Sequence, residues 1–367
     1  MAPSSENDDD GNDAVSSDPI TEETTVIPSL PFEIVEEILS KLPVKFLMQL
    51  KSVCKSWKSL ISNPKFAKKH LRVSTTRHHV LITYTTNISR ELVVVDYPFS
   101  SVSTELTAAA GRQLDFPLSN GNRFKSYIVG SCHGIICFEI DHNFALLWNP
   151  SIRKFMKLPS LENKKQERCY TSYGFGYVYD HFNDNYSYKV VAVDYYDDEG
   201  IPLDRPGRFV SGTVNWLVSN VWHASPSVII SLDLDTESYQ EIMLPDHGLK
   251  YVVTTLVVFK DCLSIFVVSE TFSDLWLMDE FGNTESWAKL FLISYSFMGD
   301  SRCFPYIKPL FLFEDDQVLL ECNIEHFSSE LAIYNPRDGS FKTTEIQNIN
   351  RSIDHEVYQE SLITPCS

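Results

Sequence analysis

Four times along the chain an apolar, strand-like run leads into a polar turn, and an aromatic residue then opens a second strand. The segments are Leu146 to Leu158 (LLWNPSIRKFMKL), Ile230 to Leu244 (ISLDLDTESYQEIML), Leu275 to Leu290 (LWLMDEFGNTESWAKL) and Leu331 to Ile346 (LAIYNPRDGSFKTTEI). Their shared aromatics, Phe155, Tyr239, Trp287 and Phe341, lie 84, 48 and 54 residues apart, so one period is near fifty and the first gap spans about two. A four-stranded blade needs about that length and must bury its faces on its neighbours, so the repeat predicts a β-propeller. The irregular spacing keeps a two-sheet β-sandwich as the alternative. Short β-branched and aromatic runs such as Val80 to Tyr84, Leu92 to Tyr97, Gly134 to Phe138, Lys189 to Val193 and Val318 to Cys322, separated by Gly, Asn, Asp and Pro clusters, fit either all-β body.

Before this body the period is helical. From Leu30 to Leu71 the chain predicts three short helices and a capping turn. Pro31 suits a first helical turn, Pro43 opens a second helix over Val44 to Lys51, Ser52 is the N-cap expected for a third, and Asn63-Pro64 ends it. Ile34, Ile38 and Leu42 make one stripe, and Val53, Trp57, Leu60 and Ile61 another. A unit of about forty residues with no staple cannot build a sufficient core of its own. Its surplus apolar surface must dock, either on the β body behind it or on another protein.

Leu30-Pro31, Glu33, Ile38-Leu39, Leu42-Pro43-Val44, Leu47, Val53-Cys54-Lys55, Trp57, Leu60-Ile61 and Pro64-x-Phe66 resemble an F-box, in order and without gaps. Phe46 stands where a small polar residue is more usual, and Met48-Gln49 replaces a commoner Leu-Arg. The resemblance implies docking on a Skp-family adaptor and, through it, on a cullin ubiquitin ligase. It implies adaptor contacts at Leu30, Pro31, Ile34, Leu39, Leu42, Pro43, Leu47, Val53, Cys54 and Trp57. Gly130-Ser131-Cys132-His133-Gly134, Leu147-Trp148-Asn149-Pro150, Tyr173-Gly174-Phe175-Gly176-Tyr177, Tyr188-Lys189-Val190-Val191, Gly212-Thr213-Val214-Asn215-Trp216 and Glu285-Ser286-Trp287 are similar to the F-box-associated, kelch-like domain of plant F-box proteins, a family that includes the S-locus F-box proteins. Where that family inserts another strand–aromatic unit, this chain has only DYYDDEGIPLDRPGRF between Val193 and Val210, which predicts an incomplete blade. The domains expected are an acidic tail over 1–26, an F-box over 27–72 and an F-box-associated β domain over 73–367.

Charge divides the chain in the same places. Residues 1–25 hold eight acidic residues and no Lys or Arg, with few large apolar groups to offset ordering, so a disordered tail is expected and a signal peptide is not. Pro31 to Arg72 holds nine Lys or Arg against three Glu. Taking the tail's −8 and this segment's +6 from a net charge of −18 leaves −16 for residues 73–367. An acidic body is a poor nucleic-acid binder, because phosphate contacts need a basic surface. The eight cysteines, Cys54, Cys132, Cys137, Cys169, Cys262, Cys303, Cys322 and Cys366, are scattered without C-x-x-C pairs. They read as reduced small hydrophobes, which favours cytoplasm or nucleus. No run reaches the roughly 18 apolar residues of a membrane span.

Catalytic and metal patterns fare poorly. Cys132 and His133 are adjacent, and neighbours on a strand point to opposite faces, so a turn flanked by glycines is the reading there. His78-His79 lacks metal ligands at a useful spacing and reads as an exposed hairpin edge. Asp194 to Glu199 lacks the interleaved Gly and closing Glu of a calcium loop. Trp148, Trp216, Trp276 and Trp287 read as blade core, and client contacts are expected in the loops Pro117 to Arg123, Asp194 to Arg208 and Val218 to Ser227. The expectation is a non-catalytic substrate-recognition subunit of an SCF-type ligase, with no cofactor, no metal and an unidentified client protein. A ligase-independent β-propeller binding protein is the alternative.

Overall fold

The computed structural model describes residues 30–74, 77–86, 91–99, 111–118, 124–161, 169–196, 201–202, 206–219, 227–246, 248, 253–295, 306–323, 329–344 and 353–365. The expected tail lies outside them, as do parts of the three loops expected to hold a client and the acidic positions 197–199.

The helical segment has four helices, not three: α1 (Phe32–Ser40), α2 (Val44–Leu50), α3 (Lys55–Ile61) and α4 (Pro64–Val73). Asn63-Pro64 ends α3 and also opens α4. The Lys65 amide donates to Asn63 Oδ1 at 2.8 Å, and Pro64 at the first helical position loses no bond the helix needs. The N-cap position of α3 falls on Cys54, not Ser52, with no side-chain cap bond, and the Ser52 hydroxyl donates instead to the Gln49 carbonyl at 2.6 Å.

The β body is a propeller, which removes the sandwich alternative. β1 (His78–Thr85), β2 (Leu92–Pro98) and β3 (Arg112–Leu114) form three strands of the first blade. β4 (Ser126–Cys132), β5 (Ile135–Ile140), β6 (Phe144–Asn149) and β7 (Lys154–Lys157) form the next. A long hairpin follows, β8 (Cys169–Asp180) with β9 (Asn185–Tyr196), a sheet of two strands among the described residues. β10 (Ile201–Pro202) and β11 (Arg208–Val210) share one edge of β12 (Thr213–Ser219), which continues to β13 (Val228–Asp233) and β14 (Tyr239–Met243). β15 (Val253–Phe259), β16 (Cys262–Val268), β17 (Phe272–Met278) and β18 (Trp287–Ser294) form one blade, and β19 (Tyr306–Leu312), β20 (Val318–Asn323), β21 (Ser329–Tyr334) and β22 (Phe341–Thr344) another. Finally β23 (Ile353–Gln359) returns to pair antiparallel with β1, His78 opposite Gln359 and Tyr84 opposite Ile353. The inner strands β23, β4, β8, β11, β15 and β19 touch in that cyclic order, so the ring is closed.

Each segment of the repeat is the outer hairpin of one blade: β6–β7, β13–β14, β17–β18 and β21–β22. The double-width first gap is the β8–β9 hairpin, the incomplete blade the sequence predicts. The glycines of Tyr173-Gly174-Phe175-Gly176-Tyr177 let β8 lie close against the following blade. A Cβ on Gly174 would meet Val214 at 2.3 Å, and one on Gly176 would meet Phe209 at 2.2 Å. Cores form between blades, as where Leu81, Val94, Ile136, Phe138, Trp148 and Tyr358 join the first blade to the second.

His78-His79 is not an exposed edge. Both residues are half-buried in β1, where the β1–β2 register sets His79 beside Asp96, Nδ1 to Oδ1 at 2.9 Å. Tyr358 OH donates to the same carboxylate at 2.9 Å and Arg112 does so at 3.1 Å. His133-Gly134 forms a two-residue hairpin turn with both φ positive, 52° and 79°. Burial pushes the Cys132 thiol up and the His133 imidazole down to about 4, and no nucleophile–base pair forms there.

Candidate functional site

The four-helix unit has two apolar faces with different fates. One is sealed. Leu39, Val44, Leu47, Ile61, Phe66 and Ala67 are buried together with Leu362 of the C-terminal segment, and Ile363 of that segment and Ile152 of the β body pack on them. Polar bonds fix this face. The buried Glu360 carboxylate accepts from the Val44 amide at 3.2 Å, at the start of α2, where an anion is favoured. Arg77 donates to the Leu42 carbonyl at 2.8 Å and lies 3.7 Å from Glu360. Gln359 Nε2 donates to the carbonyls of Leu71 and Ser74 at 3.0 and 2.8 Å. Burial raises the Glu360 pKa and lowers that of His70, whose Nε2 sits 2.8 Å from the Leu42 carbonyl. A second brace is the tip of β8–β9, where Asp184 lies 3.3 Å from Arg72 and 3.9 Å from Lys68.

The other face is open. Leu30 is 60% exposed, Val53 61%, Phe46 51%, and Phe32, Ile34 and Ile38 about half. Ile34 and Ile38 lie one turn apart on α1. Water gains nothing from such residues, and roughly 25 cal/mol per Å² is available to any partner that covers them. Around them the charges are arranged in pairs: Lys69 holds Glu36 at 3.0 Å and Glu37 at 3.3 Å, and Lys41 holds Glu37 at 3.4 Å. Cys54 is exposed at the start of α3. The Ser56 hydroxyl at 3.1 Å and the Trp57 amide lower its thiol pKa.

The ten contact residues implied by the sequence divide between these faces. Leu30, Pro31, Ile34, Val53 and Cys54 are exposed, and Leu42, Pro43 and Trp57 are half-buried. Leu39 and Leu47 are 2% and 0% exposed and serve the sealed core in this conformation. Phe32, Ile38, Phe46 and Met48 stand open without having been singled out as contacts. The i, i+4 spacing of Ile34 and Ile38 is the signal that points to Ile38.

The F-box domain signature matches residues 27–69, and that of the F-box associated beta propeller domain matches residues 79–202. An F-box/kelch-repeat protein of Arabidopsis thaliana is 30% identical, the match covering 92% of this chain and 96% of that protein. The F-box protein CPR1 of the same plant is 24% identical over 92% of this chain and 89% of its own length. Among the described residues no helix is long and apolar enough to cross a membrane. With its sealed and open helical faces set on a kelch-like ring, the chain belongs to the F-box proteins of plants that carry an F-box-associated β-propeller domain.

Proposed function

We propose that this protein is a substrate-recognition subunit of an SCF-type cullin–RING ubiquitin ligase. Its F-box binds a Skp-family adaptor, and its propeller binds a client protein for ubiquitination and proteasomal degradation. The observation that carries this reading is the open apolar face of α1 to α3 on a unit whose opposite face is already satisfied by the propeller. Leu30, Pro31, Ile34, Ile38, Val53 and Cys54 meet the adaptor, with Leu42, Pro43 and Trp57 at the margin, while Leu39 and Leu47 support them from beneath. The chain performs no bond chemistry. Its mechanism is proximity: the Glu360 and Arg77 joint holds the propeller against the F-box, so a bound client stays at high effective concentration near the conjugating enzyme.

Co-purification of the full chain with a Skp-family adaptor tests the proposal. Ile34→Glu/Ile38→Glu places two charges at the centre of the open face. It is expected to weaken binding at least 100-fold, about 3 kcal/mol, while the melting temperature stays within a few degrees. Retained binding by that variant would remove the assigned face. Failure of the folded wild-type chain to bind would leave a ligase-independent propeller binding protein.

A further inference from the structure

Where α2, α3 and α4 meet β9, the β6–β7 turn and the C-terminal segment, they enclose a cavity of about 180 Å³. Its floor is apolar, built by Ile61 and Ala67 from the helices and by Leu362 and Ile363 from the C-terminal segment. The rings of Tyr186 and Tyr188 form one wall. Three lysines also line it: Lys51 just past the end of α2, Lys68 of α4 and Lys154 of β7. None of its described lining residues is acidic. Lys68 has distant company, its ammonium 3.9 Å from Asp184 and 5.9 Å from the centre of the Tyr186 ring. Lys51 and Lys154 share the cavity lining, and burial, then the charge of Lys154, lowers the Lys51 pKa. Lys51 is half-buried and Lys154 is exposed at the mouth, so cations stand at the edge of an apolar floor, an arrangement that an anion with an apolar body would match on both counts.

We infer that this seam is a binding site for a small organic carboxylate whose body is one or two rings. The carboxylate meets Lys51 and Lys154, and the body lies on Ile61, Ala67 and Leu362 against the tyrosine wall. Cavities of about 150 Å³ admit benzene, so the size suits one ring fully or two rings with the acid group at the mouth. Such a ligand touches the F-box and the propeller at once and stiffens the angle between them. The inference does not depend on the ligase reading.

Calorimetric titration of the full chain with 1-naphthoate and with its neutral isostere 1-naphthamide tests it. One-to-one binding of the acid, at least tenfold tighter than the amide, is expected. Lys51→Gln/Lys154→Gln should reduce the acid to the level of the amide and, by removing a repulsion, should leave the protein at least as heat-stable as wild type. Ala67→Phe fills the floor and should weaken both compounds. Equal binding of acid and amide, unchanged acid binding in the double-lysine variant, or no binding of the acid at 1 mM each overturns the proposal. Binding that appears only when residues 1–26 are deleted would give the cavity to that acidic segment and overturns it as well.

Discussion

Ile38 is about half exposed and Leu39 is 2% exposed, although they are adjacent on α1. The 100° step of a helix sends one toward solvent and the other into the core shared with Leu47, Phe66 and Leu362. Leu39→Ala should therefore cost about 2–5 kcal/mol of stability, whereas Ile38→Ala should stay within about 0.5 kcal/mol in the same denaturation experiment. At the β4–β5 turn, His133 is walled by Tyr177 and Tyr186 and reaches Tyr188 OH at 3.0 Å, and burial holds its pKa at about 4 against an ordinary 6.5. A depressed folded-state value means that the unfolded chain takes up the proton first as pH falls. The stability this histidine supports is full above about pH 6.5 and drains away toward pH 4. Between pH 7 and pH 5 the wild type should lose about 2 kcal/mol more than His133→Asn, at about 1.4 kcal/mol per pH unit, as read by urea denaturation at the two pH values. Asparagine tolerates the φ of 52° that the turn imposes, so the comparison isolates the proton.

At the scale of elements, β9 is the exception among second strands. Every residue of β5 is buried and nearly all of β16 is, whereas Ala192, Val193 and Asp194 of β9 are exposed. The cause is topological: β5 and β16 pair on both edges, and β9 pairs only with β8 among the described strands. Amides on the outer edge of β9 should exchange with solvent deuterium at least 100-fold faster than those of β5 and β16. Equal protection would place another segment along that edge. Much of this was legible. Outer hairpins such as β6–β7 are local, so Leu146 to Leu158 shows its strand–turn–aromatic plan within thirteen residues, and the family resemblance, through the short segment between Val193 and Val210, implied the incomplete blade. What hid was non-local or ambiguous. Asp96 reaches His79 only through a hairpin register. Asn63-Pro64 can both close and open a helix. The F-box resemblance gave Leu39 and Leu47 as contacts, and nothing near them in sequence reveals Leu362 and Ile363 arriving from the far end of the chain.

For the molecule as a whole, the first blade takes β1 to β3 from the beginning of the ring and β23 from its end. The same C-terminal run continues into Glu360, Leu362 and Ile363, which complete the helical core. Removing residues 353–367 should therefore damage two places at once. The truncated chain should lose cooperative melting of the propeller and, under the proposed function, weaken adaptor binding about tenfold or more, although no residue of the open face is touched. A truncated protein that melts as sharply as the full chain and binds the adaptor equally well would show that ring closure and F-box support are separable.

Ring closure also fixes an order of events during synthesis. The ribosome delivers Val73 and then 279 further positions before Ile353, an interval of about 15–60 s at ordinary elongation rates. For all of that time the helices exist without Leu362, Ile363 and the Glu360 carboxylate beneath them. A nascent or prematurely terminated chain thus offers an unsupported F-box and an open ring together. Completion of the last strand finishes both the ring and the core beneath the helices, so under the proposed function a half-made chain would compete poorly for the adaptor.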